Sequence, residues 1–151
     1  MIKILFVCHG NICRSPMAEY LFKDMVRKEG LEDKFFISSA ATSYEEYGNP
    51  IYPPVKRLLN DAGIECSSHR AYRMEKADYD KYDLLICMDS RNLRNLKNII
   101  GSDPDGKVHL LMEYTGIPGD VADPYYSGDF EATWRDINAG CRALLKKLKV
   151  D

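Results

Sequence analysis

What this sequence lacks narrows its class before any motif is read. No apolar run comes near the roughly 20 residues a membrane-crossing helix needs, so no membrane association is expected. The net charge of −2 leaves no basic excess of the kind that marks general nucleic-acid binding. The five cysteines, Cys8, Cys13, Cys66, Cys87 and Cys141, are odd in number, and none stand in a zinc-type CxxC spacing. The three histidines, His9, His69 and His109, have no ligand spacing among themselves, so neither a metal nor another cofactor is expected. The apolar stretch Met1–Val7 is short and runs straight into a polar loop, unlike a secretory leader. A cytoplasmic protein with reduced thiols is the expectation. Repeats, low-complexity tracts and linkers are missing as well.

What is present is ordinary globular material. The 151 residues, 45% hydrophobic and 29% charged, suit one domain over residues 1–151 with a real core. Ile2–Val7 reads as a buried strand. Pro16 suits a first helical turn, and Ala18, Leu21, Phe22, Met25 and Val26 make one apolar helical face that ends before Gly30. Phe35–Ala40, Leu84–Met88 and Val108–Met112 read as three further strands. Helical spacing recurs over Val55–Ala62, over Leu93–Ile100 and from Phe130 to the C-terminus, the first two stopped by Gly63 and Gly101. Tyr44–Pro54 and Gly116–Gly128 read as long loops. Strands alternating with helices predict an α/β fold, a three-layer α/β/α sandwich around a central four-stranded parallel sheet. Ligands of such sheets bind beyond the C-terminal ends of the strands, which singles out the segments after Val7, Ala40, Met88 and Met112.

The first of these segments reads Cys8-His9-Gly10-Asn11-Ile12-Cys13-Arg14-Ser15-Pro16. Lying between a strand and a helix, it is placed to form a phosphate-binding loop, because a helix N-terminus offers unpaired N–H groups to an anion. Gly10 and Asn11 tolerate the positive φ that such a cradle tends to need. Arg14 adds a planar fork for two phosphate oxygens. Cys8 then lies at the floor, where the field that holds phosphate also stabilises a thiolate nucleophile. Ser15 is placed to donate its hydroxyl hydrogen to that thiolate. The plainer alternative is a buried cysteine at a strand end with an arginine in a helix cap.

The whole run Val7–Glu19, VCHGNICRSPMAE, resembles the signature of the low-molecular-weight protein tyrosine phosphatases. The resemblance continues in the family's order through Ser39-Ala40-Ala41-Thr42-Ser43, Ser68-His69, Cys87-Met88-Asp89 and Asp123-Pro124-Tyr125-Tyr126. It implies a cysteine-dependent phosphomonoesterase acting on phosphotyrosine in a protein substrate, with a monomer expected. Attack by Cys8 expels a phenolate, so a carboxylic acid must supply a proton and later deprotonate the hydrolytic water. Asp123 lies on the ligand-binding edge, and Pro124 restricts its backbone to extended forms. An Asp-Pro pair is also a common turn, and it is the resemblance that makes Asp123 the general acid. That acid must be protonated when substrate binds, so a mildly acidic optimum is expected.

By the same resemblance, Ser39 and His69 brace Asn11. Ile12 lines the cradle, where relatives specialised for phosphoarginine carry threonine. Tyr125 and Tyr126, with Tyr44, Tyr47 and Tyr52 opposite, are expected to wall the substrate arm, with ordinary loop packing as the alternative for the last three. Cys13 matches a position proposed in the family to shield the nucleophile by a disulfide with Cys8, against the alternative of a small buried side chain. His109, in an apolar strand, reads as structural, and Cys66, Cys87 and Cys141 as core cysteines. An arsenate reductase on the same fold would need a second cysteine pair in and just after the third strand, but Cys87 is followed by none up to Asn98. A non-catalytic phosphate-binding module would have lost the cysteine, the arginine or the acid, and all three are present.

Overall fold

The computed structural model describes residues 1–117 and 119–150. Pro118, inside the expected Gly116–Gly128 loop, and Asp151 lie outside the described residues. The first strand, β1 (Ile2–Cys8), explains the layering. Its side chains alternate between two cores, Ile4, Phe6 and Cys8 entering one, Leu5 and Val7 the other. A strand apolar on both faces must be central and covered on both sides. Accordingly β1 pairs in parallel with β2 (Phe35–Ala41) on one side and with β3 (Leu84–Cys87) on the other. The strand β4 (Val108–Leu110) adds beyond β3, giving the all-parallel order β2-β1-β3-β4.

The helices fill the outer layers. Helices α1 (Arg14–Lys28), α2 (Pro53–Asp61) and α5 (Phe130–Val150) bury their apolar faces in the core of Ile4 and Phe6. Helix α3 (Ser90–Ile100) closes the other face through Leu96 and Ile100. Asp89 caps α3 by accepting from Asn92 N at 2.7 Å. The chain leaves β1 toward β2 but returns to the opposite side as β3. That reversal opens a crevice at the C-terminal end of β1, where Cys8 sits. Among the described residues no helix is long and apolar enough to cross a membrane.

Two elements differ from the reading of the sequence. The expected strand Val108–Met112 stops at Leu110, and Leu111–Thr115 winds into a 3₁₀ turn held by Leu110 N donating to Glu113 Oε1 at 2.7 Å. The expected loop Gly116–Gly128 contains a short helix, α4 (Pro124–Ser127), with Asp123 as its N-cap and Pro124 in its first turn.

The 3₁₀ turn docks Leu111, fully buried, against α5 at Gly140. A Cβ on Gly140 would lie 2.5 Å from Leu111 Cγ. At an open helix position alanine gains roughly 1 kcal/mol over glycine. Here the overlap reverses the sign, and Gly140→Ala is expected to destabilise the fold by roughly 1–3 kcal/mol. Urea unfolding should show a lower midpoint; a raised midpoint would refute the packing argument.

Candidate active site

The loop between β1 and α1 is shaped by its neighbour across the sheet. Thr42 N donates to Cys8 O at 2.9 Å and Ser43 N to His9 O at 3.2 Å, extending the β1–β2 pairing past the end of the strands. Asn11 is fully buried and takes the left-handed conformation, φ 61°. Of the two residues expected to tolerate positive φ, it is Asn11 rather than Gly10 that uses it. Gly10 has no positive φ, and a Cβ there would make only ordinary contact with Glu46 Cγ at 3.4 Å. Cys13 is the N-cap of α1 and makes no side-chain cap of its own, so the first N–H groups of the helix are left to other partners, Ser15 N turning to the Cys8 sulfur.

Three donors converge on the Cys8 sulfur. Asn11 N lies 3.3 Å away, Ser15 N 3.4 Å and Ser15 Oγ 2.9 Å. Each hydrogen bond to the sulfur favours its charged form. Asn11 organises them. Its Nδ2 donates to Ser15 Oγ at 2.7 Å and to Ser39 Oγ at 2.9 Å, while its Oδ1 accepts from Tyr72 N at 3.0 Å. His69 Nε2–H donates to the Asn11 carbonyl at 2.9 Å, holding the left-handed turn from outside. The bracing expected of Ser39 and His69 thus corresponds to contacts that are present.

Arg14 comes off the first turn of α1 into the same space, with its side chain only 3% exposed. Both hydrogens of Nη1 are taken, by Asp89 Oδ2 at 2.7 Å and the Val121 carbonyl at 2.8 Å. Nη2 lies 3.4 Å from Asp123 Oδ2. Burial alone would pull the guanidinium pKa down. Cys8, the Asp89 hydrogen bond and Asp123 outweigh it and leave Arg14 above its ordinary value. Asp123 N-caps α4, accepting from Tyr125 N at 3.1 Å, with the extended backbone that Pro124 demands. Cys13 is pushed well above an ordinary thiol, first by burial and then by Cys8 and Asp123. Cys66, Cys87 and Cys141 are free, buried and raised by burial as well.

These groups share one cleft of about 210 Å³, lined by the loop from Cys8 to Arg14 and by Asp123, Tyr125, Tyr126, Glu45 and Glu46. Tyr125 and Tyr126 stand on one side, where the sequence put them. The opposite wall is Glu45 and Glu46, not Tyr44 and Tyr47. Tyr44 turns away to the Arg73 guanidinium at 4.8 Å and to Glu75, with Tyr47 packed beside it. Tyr52 lies behind the near wall, its ring 5.5 Å from Tyr125 and stacked on Phe130. Glu45 reaches back to the loop and pairs with His9 Nε2 at 2.9 Å. His109 stands apart on β4, paired with Glu113 at 3.3 Å.

Reading the residues for chemistry passes over Asp89, Glu19, Glu45 and Glu46. Asp89 carried a usable signal, lying just past β3 on the ligand edge, where a buried arginine needs a carboxylate. Glu19 ends the signature run but sits one helical turn inside α1, where acidic residues usually face water.

Comparison with known proteins supplies a separate line of argument. A sequence model of the low molecular weight phosphotyrosine protein phosphatase family matches residues 3–151. The chain is 38% identical over 151 residues to the low molecular weight protein-tyrosine-phosphatase YfkJ of Bacillus subtilis, covering 99% of this chain and 97% of that one. It is 40% identical over 151 residues to the low molecular weight phosphotyrosine protein phosphatase of Gallus gallus, covering 95% and 94%. The crystal structure of YfkJ superposes with a TM-score of 0.95 over 99% of this chain and 95% of that one. A drosophila arginine phosphatase, 31% identical, superposes at 0.90 over 98% of both chains.

Proposed function

The chain belongs to the low molecular weight phosphotyrosine protein phosphatase family, and from that premise we propose how its residues divide the hydrolysis of a phosphotyrosine monoester. The phosphoryl group enters the Cys8–Ser15 loop, where backbone N–H groups and the first turn of α1 meet its charge. Arg14 has Nε–H and Nη2 to offer, because Asp89 and Val121 occupy Nη1. The Cys8 sulfur attacks phosphorus as the bond to the tyrosine oxygen breaks, and the carboxylic acid of Asp123 protonates the departing phenolate. Asp123, now a carboxylate, takes a proton from water. The resulting hydroxide attacks the cysteinyl phosphate, phosphate leaves, and the sulfur recovers its electron pair.

One observation carries this reading, the gathering of three hydrogen-bond donors on the Cys8 sulfur within a cleft that also holds Arg14 and Asp123. The hydrophobic walls of Tyr125 and Tyr126, together with Ile12 in the lining, favour an aryl phosphate arm. Cys13 would serve in protection. Once an oxidant has converted Cys8 to the sulfenic acid, attack by the Cys13 sulfur with loss of water would close a disulfide. The raised pKa of Cys13 makes that closure slow near neutrality. The chain is read as one catalytic unit, acting as a monomer in the cytoplasm.

Asp123→Ala tests the assignment of the acid. Turnover of phosphotyrosine peptides is expected to fall on the order of 10²–10⁴-fold. Aryl phosphates with acidic leaving groups need less protonation and should lose much less. Equal losses for both classes would remove Asp123 from the role, and the fall in wild-type turnover toward alkaline pH, where the general acid is deprotonated, should flatten in the variant.

A further inference from the structure

We propose that Glu19 is a positioning residue that fixes the direction of the hydrogen bonds running to the Cys8 sulfur. The inference rests on the reading of Cys8 as the nucleophile. Glu19 is buried inside the first turns of α1, 6% exposed, where an acidic side chain has a cost unless it is paired. Its Oε2 meets Lys23 at 2.5 Å, and its Oε1 accepts the hydroxyl hydrogen of Ser39 at 2.5 Å. A carboxylate can only accept. Ser39 must therefore point its one hydrogen at Glu19 and present lone pairs to Asn11.

The consequence passes along the chain. Asn11 is left to face Ser39 with its Nδ2, at 2.9 Å, and the second hydrogen of that amide goes to Ser15 Oγ at 2.7 Å. Tyr72 N locks the same orientation from the other end by donating to Oδ1. Ser15 now receives a hydrogen bond from Asn11, so its own hydrogen is turned outward. The sulfur of Cys8, at 2.9 Å, is far closer than the alternative acceptor, the Ala40 carbonyl at 3.5 Å. Glu19 thus makes Ser15 a committed donor to the sulfur although it touches neither the sulfur nor the cleft lining. With the acceptor gone, the Ser39 hydrogen is no longer fixed away from Asn11, the amide is held in its sense by Tyr72 N alone, and Ser15 spends part of its time bonded elsewhere.

The test reads the sulfur directly. Alkylation of Cys8 by iodoacetamide, followed across pH by mass spectrometry, should show Glu19→Met about tenfold slower than wild type near neutrality, its profile displaced to higher pH. Glu19→Gln retains an acceptor oxygen and should stay within about threefold of wild type. In a Ser15→Ala background, Glu19→Met should add nothing, because its influence passes through Ser15. Should Glu19→Met not fold, Ser39→Ala cuts the same chain one link nearer the sulfur and should displace the profile equally. A lowered melting temperature with an unmoved alkylation profile, or additive losses with Ser15→Ala, would overturn the proposal. If Cys8 alkylates readily and every profile coincides, only the role of Glu19 fails. If Cys8→Ser still turns over phosphotyrosine peptide, the assignment of the nucleophile fails first.

Discussion

Arg14→Lys is expected to lower kcat on the order of 10³-fold while leaving the fold intact. The charge survives this substitution, but the geometry does not. Arg14 is anchored at Nη1 by Asp89 and the Val121 carbonyl, which leaves a rigid pair of N–H directions for two phosphoryl oxygens. A lysine ammonium would be drawn to Asp89 and could offer at most one direction to phosphate. Loss of a single preorganised donor costs about 10²–10³-fold, and cationic fingers on a transferring phosphoryl group are worth roughly 10³–10⁵. A loss of 10³-fold corresponds to about 4 kcal/mol of transition-state stabilisation. Steady-state kinetics on an aryl phosphate, with inorganic phosphate as inhibitor, would show it. Activity within tenfold of wild type would mean that charge alone suffices.

Cys8→Ser should do more and remove turnover altogether, at least about 10⁴-fold. A serine hydroxyl is a far weaker acid than a thiol, and no general base lies among its partners. Those partners, Asn11 N, Ser15 N and Ser15 Oγ, are all donors or hydroxyl groups arranged for an anion. The loop itself does not depend on the sulfur. Asn11, Ser39, His69 and Tyr72 hold it, so the variant should still bind inorganic phosphate. Calorimetric titration would separate the two effects. Loss of both binding and turnover would point to a collapsed loop rather than a missing nucleophile.

Much of this was legible in the sequence because it is local. The proposed nucleophile, the loop around it and the arginine lie within one strand–loop–helix unit, where period, turn residues and charge act over a few residues. The four parallel strands announced themselves as short apolar runs between helical faces. Two kinds of feature were hidden. Long-range pairings leave no periodic trace, and the contact of Arg14 with Asp89 joins residues 75 positions apart. The sidedness of a loop is equally unmarked. In the turn after β2, Glu45 and Glu46 face the cleft while Tyr44 leaves it for Arg73, a division that no strand alternation marks. The end of β4 was misplaced for a related reason. Leu110, Leu111 and Met112 read as one apolar run, but the capping by Glu113 and the fit of Leu111 against Gly140 turn the chain after Leu110.

The central claim is that the phosphoryl group passes through the sulfur of Cys8, and trapping that species tests it most directly. Mixing enzyme with excess aryl phosphate and quenching in acid within milliseconds should yield one equivalent of released phenol ahead of free phosphate. Peptide mapping should then find a phosphoryl group on Cys8. Phenol and phosphate released in step, with no phosphorylated peptide or with the phosphoryl group on another residue, would contradict the account.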